Sequence, residues 1–210
     1  MTQPCDVSVV ISTRNRADML VGCLRSLIES RATAAVEVIV VDNASTDGTR
    51  RVIESFQGHP EVPVHYIWEP RRGVSHGRNA GIARATGRII AFTDDDIVVS
   101  SGWVDDIHRV FEQHPDIDCV GGAVLPLWSE SPPHWLDSRH WSPLSVTDHG
   151  SRHSKSVRRI RYACLPRVLH SDGACWIDSA ASPRSFLVRR TTNCSCGFGL
   201  AVAVPSTVPR

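Results

Sequence analysis

Three apolar segments in the first half of the chain have strand length, and each breaks off in a polar cluster. Val7-Ser8-Val9-Val10-Ile11 runs into Ser12-Thr13-Arg14-Asn15-Arg16, Val36-Glu37-Val38-Ile39-Val40-Val41 into Asp42, and Ile89-Ile90-Ala91-Phe92-Thr93 into Asp94-Asp95-Asp96. Runs this rich in β-branched residues suit buried strands. Helical periodicity lies between them. Met19, Leu20, Cys23, Leu24, Leu27 and Ile28 fall on one face of a helix over 17–30. A short helix follows Asp47-Gly48-Thr49 as far as Phe56, with Asp47 placed to cap it. Val62 to Trp68 reads as a further strand, Gly77 to Ala85 as a helix closed by Gly87, Trp103 to Phe111 as an amphipathic helix and Cys119 to Leu125 as a fifth strand. Strands alternating with helices predict an α/β fold, a mostly parallel sheet flanked by helices. Ligands bind such sheets beyond the carboxyl ends of the strands, where all three polar clusters fall.

Composition narrows the function classes. Hydrophobic residues at 41% and charged residues at 21% are ordinary for a globular chain. No apolar run approaches the roughly 20 residues of a membrane span, and no signal peptide is legible. The expected location is cytoplasmic, with peripheral attachment at the inner membrane face as the variant. No nucleic-acid partner is expected. Neither a P-loop nor a G-x-G-x-x-G is present, so neither of those phosphate cradles is in use.

The acidic triplet carries the strongest chemical signal. Adjacent carboxylates repel one another unless a cation sits among them. Hard oxygen ligands suit Mg²⁺ or Mn²⁺, and Mg²⁺ commonly combines one or two carboxylates with substrate phosphates. If the segment stays extended, Asp94 and Asp96 face the same way and flank one ion. A solvated turn capping the next helix is the plainer alternative, but the position directly after a buried strand favours the ion. Asp42 has the chemistry to accept hydrogen bonds from a base or ribose, and Thr13, Asn15 and Arg16 offer hydroxyl, amide and guanidinium groups. Arg78 lies in Gly77-Arg78-Asn79-Ala80-Gly81, near a helix N-terminus suited to a diphosphate. Taken singly, each of these stretches also reads as an ordinary polar loop or capped turn.

As an ordered set they resemble glycosyltransferase family 2, the inverting enzymes of the A-type nucleotide-sugar fold. The resemblance rests on Val9–Arg16, Val40–Thr49, Gly77–Gly81 and Phe92–Asp96, and spans residues 7 to about 149. It implies a Rossmann-like nucleotide-diphospho-sugar transferase fold, here incomplete. Thr13, Asn15, Arg16 and Asp42 would contact the nucleoside and Arg78 the nucleotide portion. Asp94 and Asp96 would form the D-x-D element, with Asp96 the direct metal ligand and Asp94 or Asp95 assisting at the ribose. The implied partners are a nucleoside-diphosphate sugar, an acceptor of unknown class and Mg²⁺ or Mn²⁺. The family supplies its catalytic base from an Asp roughly a hundred residues after the D-x-D. No matching element is present here, so a donor-binding fragment without transfer activity is one alternative. A nucleotidyltransferase is another, although Ser12–Arg16 lacks the glycine-rich loop that would favour it.

The sequence changes character near Gly150. Residues 1–150 carry a net charge of −7 and residues 151–210 one of +8, and four of the seven Cys fall in the later segment. After residue 150 the only carboxylates are Asp172 and Asp178. We therefore expect a nucleotide-sugar-binding domain over 1–149 and an irregular, basic segment over 150–210. A frame shift near Gly150 would account for the change, because reading the later segment two bases on permits sequence resembling the missing half of the family. A genuine basic tail is the alternative. His134, His140, His149 and His153 lack metal-ligand spacing. Trp128, Trp135 and Trp141 are expected to pack on the sheet edge rather than to wall an acceptor groove.

Overall fold

The computed structural model describes residues 5–115, 122, 124–128, 131 and 133–136, together with the backbone of 119–120 and 185–189. Its elements run β1 (Val7–Thr13), α1 (Ala17–Glu29), β2 (Val36–Asp42), α2 (Thr49–Phe56), β3 (Val64–Trp68), α3 (Val74–Arg84), β4 (Ile89–Thr93), α4 (Trp103–Gln113), β5 (Cys119–Val120) and β6 (Ser185–Arg189). The sheet order is β3-β2-β1-β4-β6-β5. The first four of these neighbours pair in parallel, whereas β6 lies antiparallel to both β4 and β5. The mostly parallel sheet flanked by helices is therefore present.

Alternation along the strands divides the core into two layers. Val9, Ile11, Val38, Val40 and Ala91 pack on one side with Leu20, Leu24 and Leu27 of α1, Ile53 of α2 and Phe111 of α4. Fully burying one such side chain contributes about 1.5–3 kcal/mol. Val10, Ile39, Val41, Ile90 and Phe92 face the other way, toward Ala80 and Ile82 of α3. That helix approaches the sheet closely because two of its glycines have no side chain. A Cβ at Gly77 would meet the Ser12 hydroxyl, and one at Gly81 would lie 2.3 Å from Val10 Cγ1. A buried polar knot secures the loop after α3. Ser8 and Thr86 donate to the Glu37 carboxylate, and Gly87 N–H donates to Ser8 Oγ. Burial alone would push the Glu37 carboxyl up, but these hydrogen bonds hold it below its ordinary value.

Several element boundaries differ from the sequence expectation. Helix α3 begins at Val74 rather than Gly77, because Gly73, at φ 132°, supplies the break that starts it. Of the strand expected over Cys119–Leu125, Cys119–Val120 is described as β5, and Leu125 is exposed. Trp128 and Trp135, expected against the sheet edge, are instead 42% and 62% exposed. Within the segment expected to be irregular, β6 adds a strand to the sheet. The rest of 150–210, with the frame-shift expectation and Trp141, lies outside the described residues.

Candidate nucleotide-sugar site

Parallel pairing fixes where the polar clusters meet. Thr13 lies in register with Asp42 across β1 and β2, and Ile11 with Thr93 across β1 and β4. The three clusters thus share one end of the sheet. Contacts follow between residues about eighty positions apart. The Thr13 hydroxyl donates to Asp95 Oδ2 at 2.7 Å, and Arg16 Nη1 donates to Asp95 at 3.0 Å and Asp96 at 3.4 Å. On the opposite flank, Arg78 Nη2 donates to Asp94 at 3.2 Å, with its guanidinium 5.8 Å from the Phe92 ring centroid. Two guanidinium groups therefore offset the repulsion among three carboxylates within the chain itself. Burial nevertheless pushes the Asp94 carboxyl above its ordinary value, against the pull of Arg78 and with help from Asp96 and Asp95. The Asp95 contact raises Arg16 further above its already high value.

The triplet is not extended. The strand ends at Thr93, and Ile97 N–H closes a turn onto the Asp94 carbonyl. The simple alternation expected for Asp94 and Asp96 is replaced by a turn. It buries Asp95 at 4% exposure between Thr13 and Arg16, and leaves Asp94 and Asp96 nearer the surface. Helix α1 holds this turn from below. The Cys23 thiol approaches the Asp94 carbonyl, and Ser26 Oγ accepts from Val99 N–H. Burial pushes that thiol up to about 12, so Cys23 is inert packing.

Asn15 and Asp42 serve their loops. Asn15 adopts φ 51°, its N–H donates to Ser45 Oγ, and its side-chain oxygen accepts Thr46 N–H at 2.7 Å. Asp42 is 1% exposed, accepting Ser45 N–H at 2.9 Å and the Tyr66 hydroxyl at 3.4 Å. Asp47 accepts N–H groups from Thr49 and from Ala17, capping α2 as expected and bracing the start of α1 as well.

Sequence reasoning overlooked Asn43, Glu69 and Arg71. The Asn43 side chain donates to the carbonyls of Glu69 (3.2 Å) and Arg71 (2.6 Å) and accepts Gly73 N–H at 2.7 Å. One amide thereby fixes the whole loop from β3 to α3. Glu69 is 5% exposed and grips the Arg71 Nε and Nη2 atoms, each at 2.8 Å. Those bonds pull its carboxyl down to about 2. A carboxylate two residues before an Arg, just past a strand, was the available signal.

The sequence profile described as Glycosyl transferase family 2 matches residues 8–169. The chain belongs to this family. The match runs about twenty residues past the boundary that the charge shift marks. This family member is 26% identical over 155 residues to the glucosyl-dolichyl phosphate glucuronosyltransferase of Haloferax volcanii, covering 72% of this chain and 49% of that protein. It is 36% identical over 138 residues to the succinoglycan biosynthesis protein ExoO of Rhizobium meliloti, covering 60% of this chain and 38% of that protein. Among solved structures, that of S. aureus TarS 1-349 in complex with UDP aligns with TM-score 0.54 and 22% identity, covering 61% of this chain and 38% of that chain. The fold is thus of the A-type, Rossmann-like transferase kind. The chain spans about half or less of the length of the curated relatives it matches. No helix among the described residues is long and apolar enough to cross a membrane.

Proposed function

We propose that this family 2 glycosyltransferase chain binds a nucleoside-diphosphate sugar with Mg²⁺ or Mn²⁺, and that its whole protein transfers the sugar to an acceptor hydroxyl with inversion. One observation carries the reading: Thr13, Asp42, Arg78 and the acidic triplet meet at the carboxyl ends of adjacent parallel strands. That is where such sheets bind ligands.

The residues present fit a hard divalent ion. Asp96 and Asp94 are partly exposed carboxylates on a turn at the sheet end. Among the described residues, no group of three or more His, Cys, Asp or Glu is arranged to hold a metal. Two carboxylates nevertheless suffice for an ion that completes its shell with phosphate oxygens and water. Such an ion supplies charge stabilisation for the departing diphosphate. Arg78, already held at Asp94, contributes a second positive group for the same charge. Asp95 holds the Thr13 hydroxyl and the Arg16 guanidinium in place at this end of the sheet. In an inverting transfer the acceptor oxygen bonds to the anomeric carbon as the bond to the diphosphate breaks, and a carboxylate base takes the hydroxyl proton.

No residue of this chain is assigned that base. The two carboxylates after residue 150, Asp172 and Asp178, lie in no family-like element. This favours, as the second reading, donor binding without transfer by these 210 residues alone. Titration calorimetry with UDP, with and without Mn²⁺, tests the site. Metal-dependent binding is expected, and Asp96→Ala should abolish the metal dependence. An unchanged metal-dependent affinity in that variant would refute the ligand assignment. Turnover of a donor then separates transfer from binding alone.

A further inference from the structure

Helix α1 carries a residue that helix formation does not favour. Ser26 lies in its interior, where Ala is the better helix former. The Ser26 hydroxyl donates back to the Cys23 carbonyl at 2.8 Å, a type of bond that slightly weakens a helix. The same oxygen accepts the Val99 N–H at 3.1 Å, from far along the chain. The helix thus yields a little of its own stability and takes hold of the segment after β4.

That segment bears the acidic triplet. It leaves the sheet after Thr93 and returns to the core at Val99, which is 8% exposed, whereas Val98 before it is 57% exposed. One face of α1 holds both ends of the segment. The Cys23 thiol meets the Asp94 carbonyl at 3.4 Å, and Ser26, one helical turn on, holds Val99. Asp95 has further anchors in Thr13 and Arg16, and Asp94 has one in Arg78. Asp96 meets Arg16 at 3.4 Å, a long contact to a half-exposed side chain. Its place therefore depends strongly on the backbone that runs on to Val99. A firm backbone matters here because Mg²⁺ takes oxygen ligands only at about 2.0–2.1 Å in near-octahedral geometry. A supporting group must hold such a ligand to within about 0.5 Å.

We propose that Ser26 is a positioning residue for the divalent ion. Its hydroxyl, oriented by the Cys23 carbonyl, clamps the Asp94–Val99 turn to α1 and so sets the place of the Asp96 carboxylate. This rests on the metal and nucleotide reading above and extends it to a helix behind the triplet.

The test uses the full chain as wild type, Ser26→Ala and Ser26→Thr, with thermal melts to verify folding. Electron paramagnetic resonance of free Mn²⁺ measures metal uptake at saturating UDP or GDP. Ser26→Ala should weaken Mn²⁺ binding about tenfold, the scale of lost outer-shell support. Ser26→Thr, which keeps the hydroxyl, should stay within about threefold of wild type. Calorimetry at saturating Mn²⁺ should then give Ser26→Ala a wild-type nucleotide affinity, because only the metal step is impaired. A lower melting temperature with unchanged Mn²⁺ affinity would make Ser26 merely structural and overturn the proposal. So would a Ser26→Thr variant as weak as Ser26→Ala, or a nucleotide affinity that excess Mn²⁺ does not restore. If wild type takes up no Mn²⁺ with either nucleotide, the metal and nucleotide reading itself fails. Should Ser26→Ala not fold, Ser26→Cys replaces it in the same comparison, since sulfur is a weak acceptor.

Discussion

Gly81→Ala puts a number on how closely α3 is fitted to the sheet. In a helix interior this substitution should stabilise by about 1 kcal/mol through propensity. Here the new Cβ would lie 2.3 Å from Val10 Cγ1, whereas carbon atoms in contact sit about 3.5–4.0 Å apart. Val10 cannot yield easily. It is 1% exposed, and its branched side chain has few χ1 choices. Helix α3 must then retreat, at the roughly 1–3 kcal/mol typical of overpacking. The net expectation is a loss of about 1 kcal/mol. Val10→Ala removes two methyl groups at about 0.8 kcal/mol each and leaves a cavity, for a loss of about 2 kcal/mol. In the double variant the methyl group introduced by Gly81→Ala enters the vacated space, so the loss should stay near 1 kcal/mol rather than the additive value of about 3. Urea unfolding at constant m measures all four corners of this cycle. Because Arg78 lies one turn before Gly81, metal-dependent UDP affinity should fall in Gly81→Ala and recover in the double variant. Additive free energies, or a Gly81→Ala variant stabilised by the full propensity gain, would refute the steric account.

Two further variants probe the loop that carries Arg71. Asn43→Ala leaves the carbonyls of Glu69 and Arg71 and the N–H of Gly73 without their side-chain partner. It should destabilise by about 2–4 kcal/mol, with faster amide exchange at Gly73, and slow exchange there would count against the latch. Glu69 has its carboxyl lowered from 4.5 to about 2. A depressed acid contributes stability above its unfolded pKa and loses it as pH falls through the folded value. The stability gap between wild type and Glu69→Gln should therefore be full near pH 7 and shrink between pH 4.5 and about 2. A gap that is constant with pH would show that the ion pair contributes nothing.

The alternation of strands and helices was legible from the sequence because periodicity, caps and turn residues act within a few positions. Leu20, Cys23, Leu24 and Leu27 had to present one apolar face, although Met19, read on that face, is exposed, and Asp47 had to cap whatever helix followed it. The polar strand ends were legible for the same reason: a buried strand leaves the core where its apolar run stops. Which groups those ends would touch was not legible. Thr13 and Arg16 reach Asp95 across 82 and 79 positions of chain, and only the parallel register of β1 with β4 sets that pairing. The turn at Asp94 was weighed only as the plainer alternative to an extended triplet. Three identical residues carry no local signal for which one is buried, and the choice falls to whichever lies under Arg16. Asn43 sat inside a recognised motif, but its partners belong to a loop 26 to 30 positions away.

Thus the sequence alone determined the class of fold, the end of the sheet that holds the polar groups and the acidic character of that end. Tertiary structure decided which carboxylate is buried, which arginines neutralise the triplet, and that Glu69 and Asn43 hold Arg71 at the rim. Hydrogen bonds and ion pairs act over about 3 Å, so their partners are set only once the packed sheet brings distant segments together.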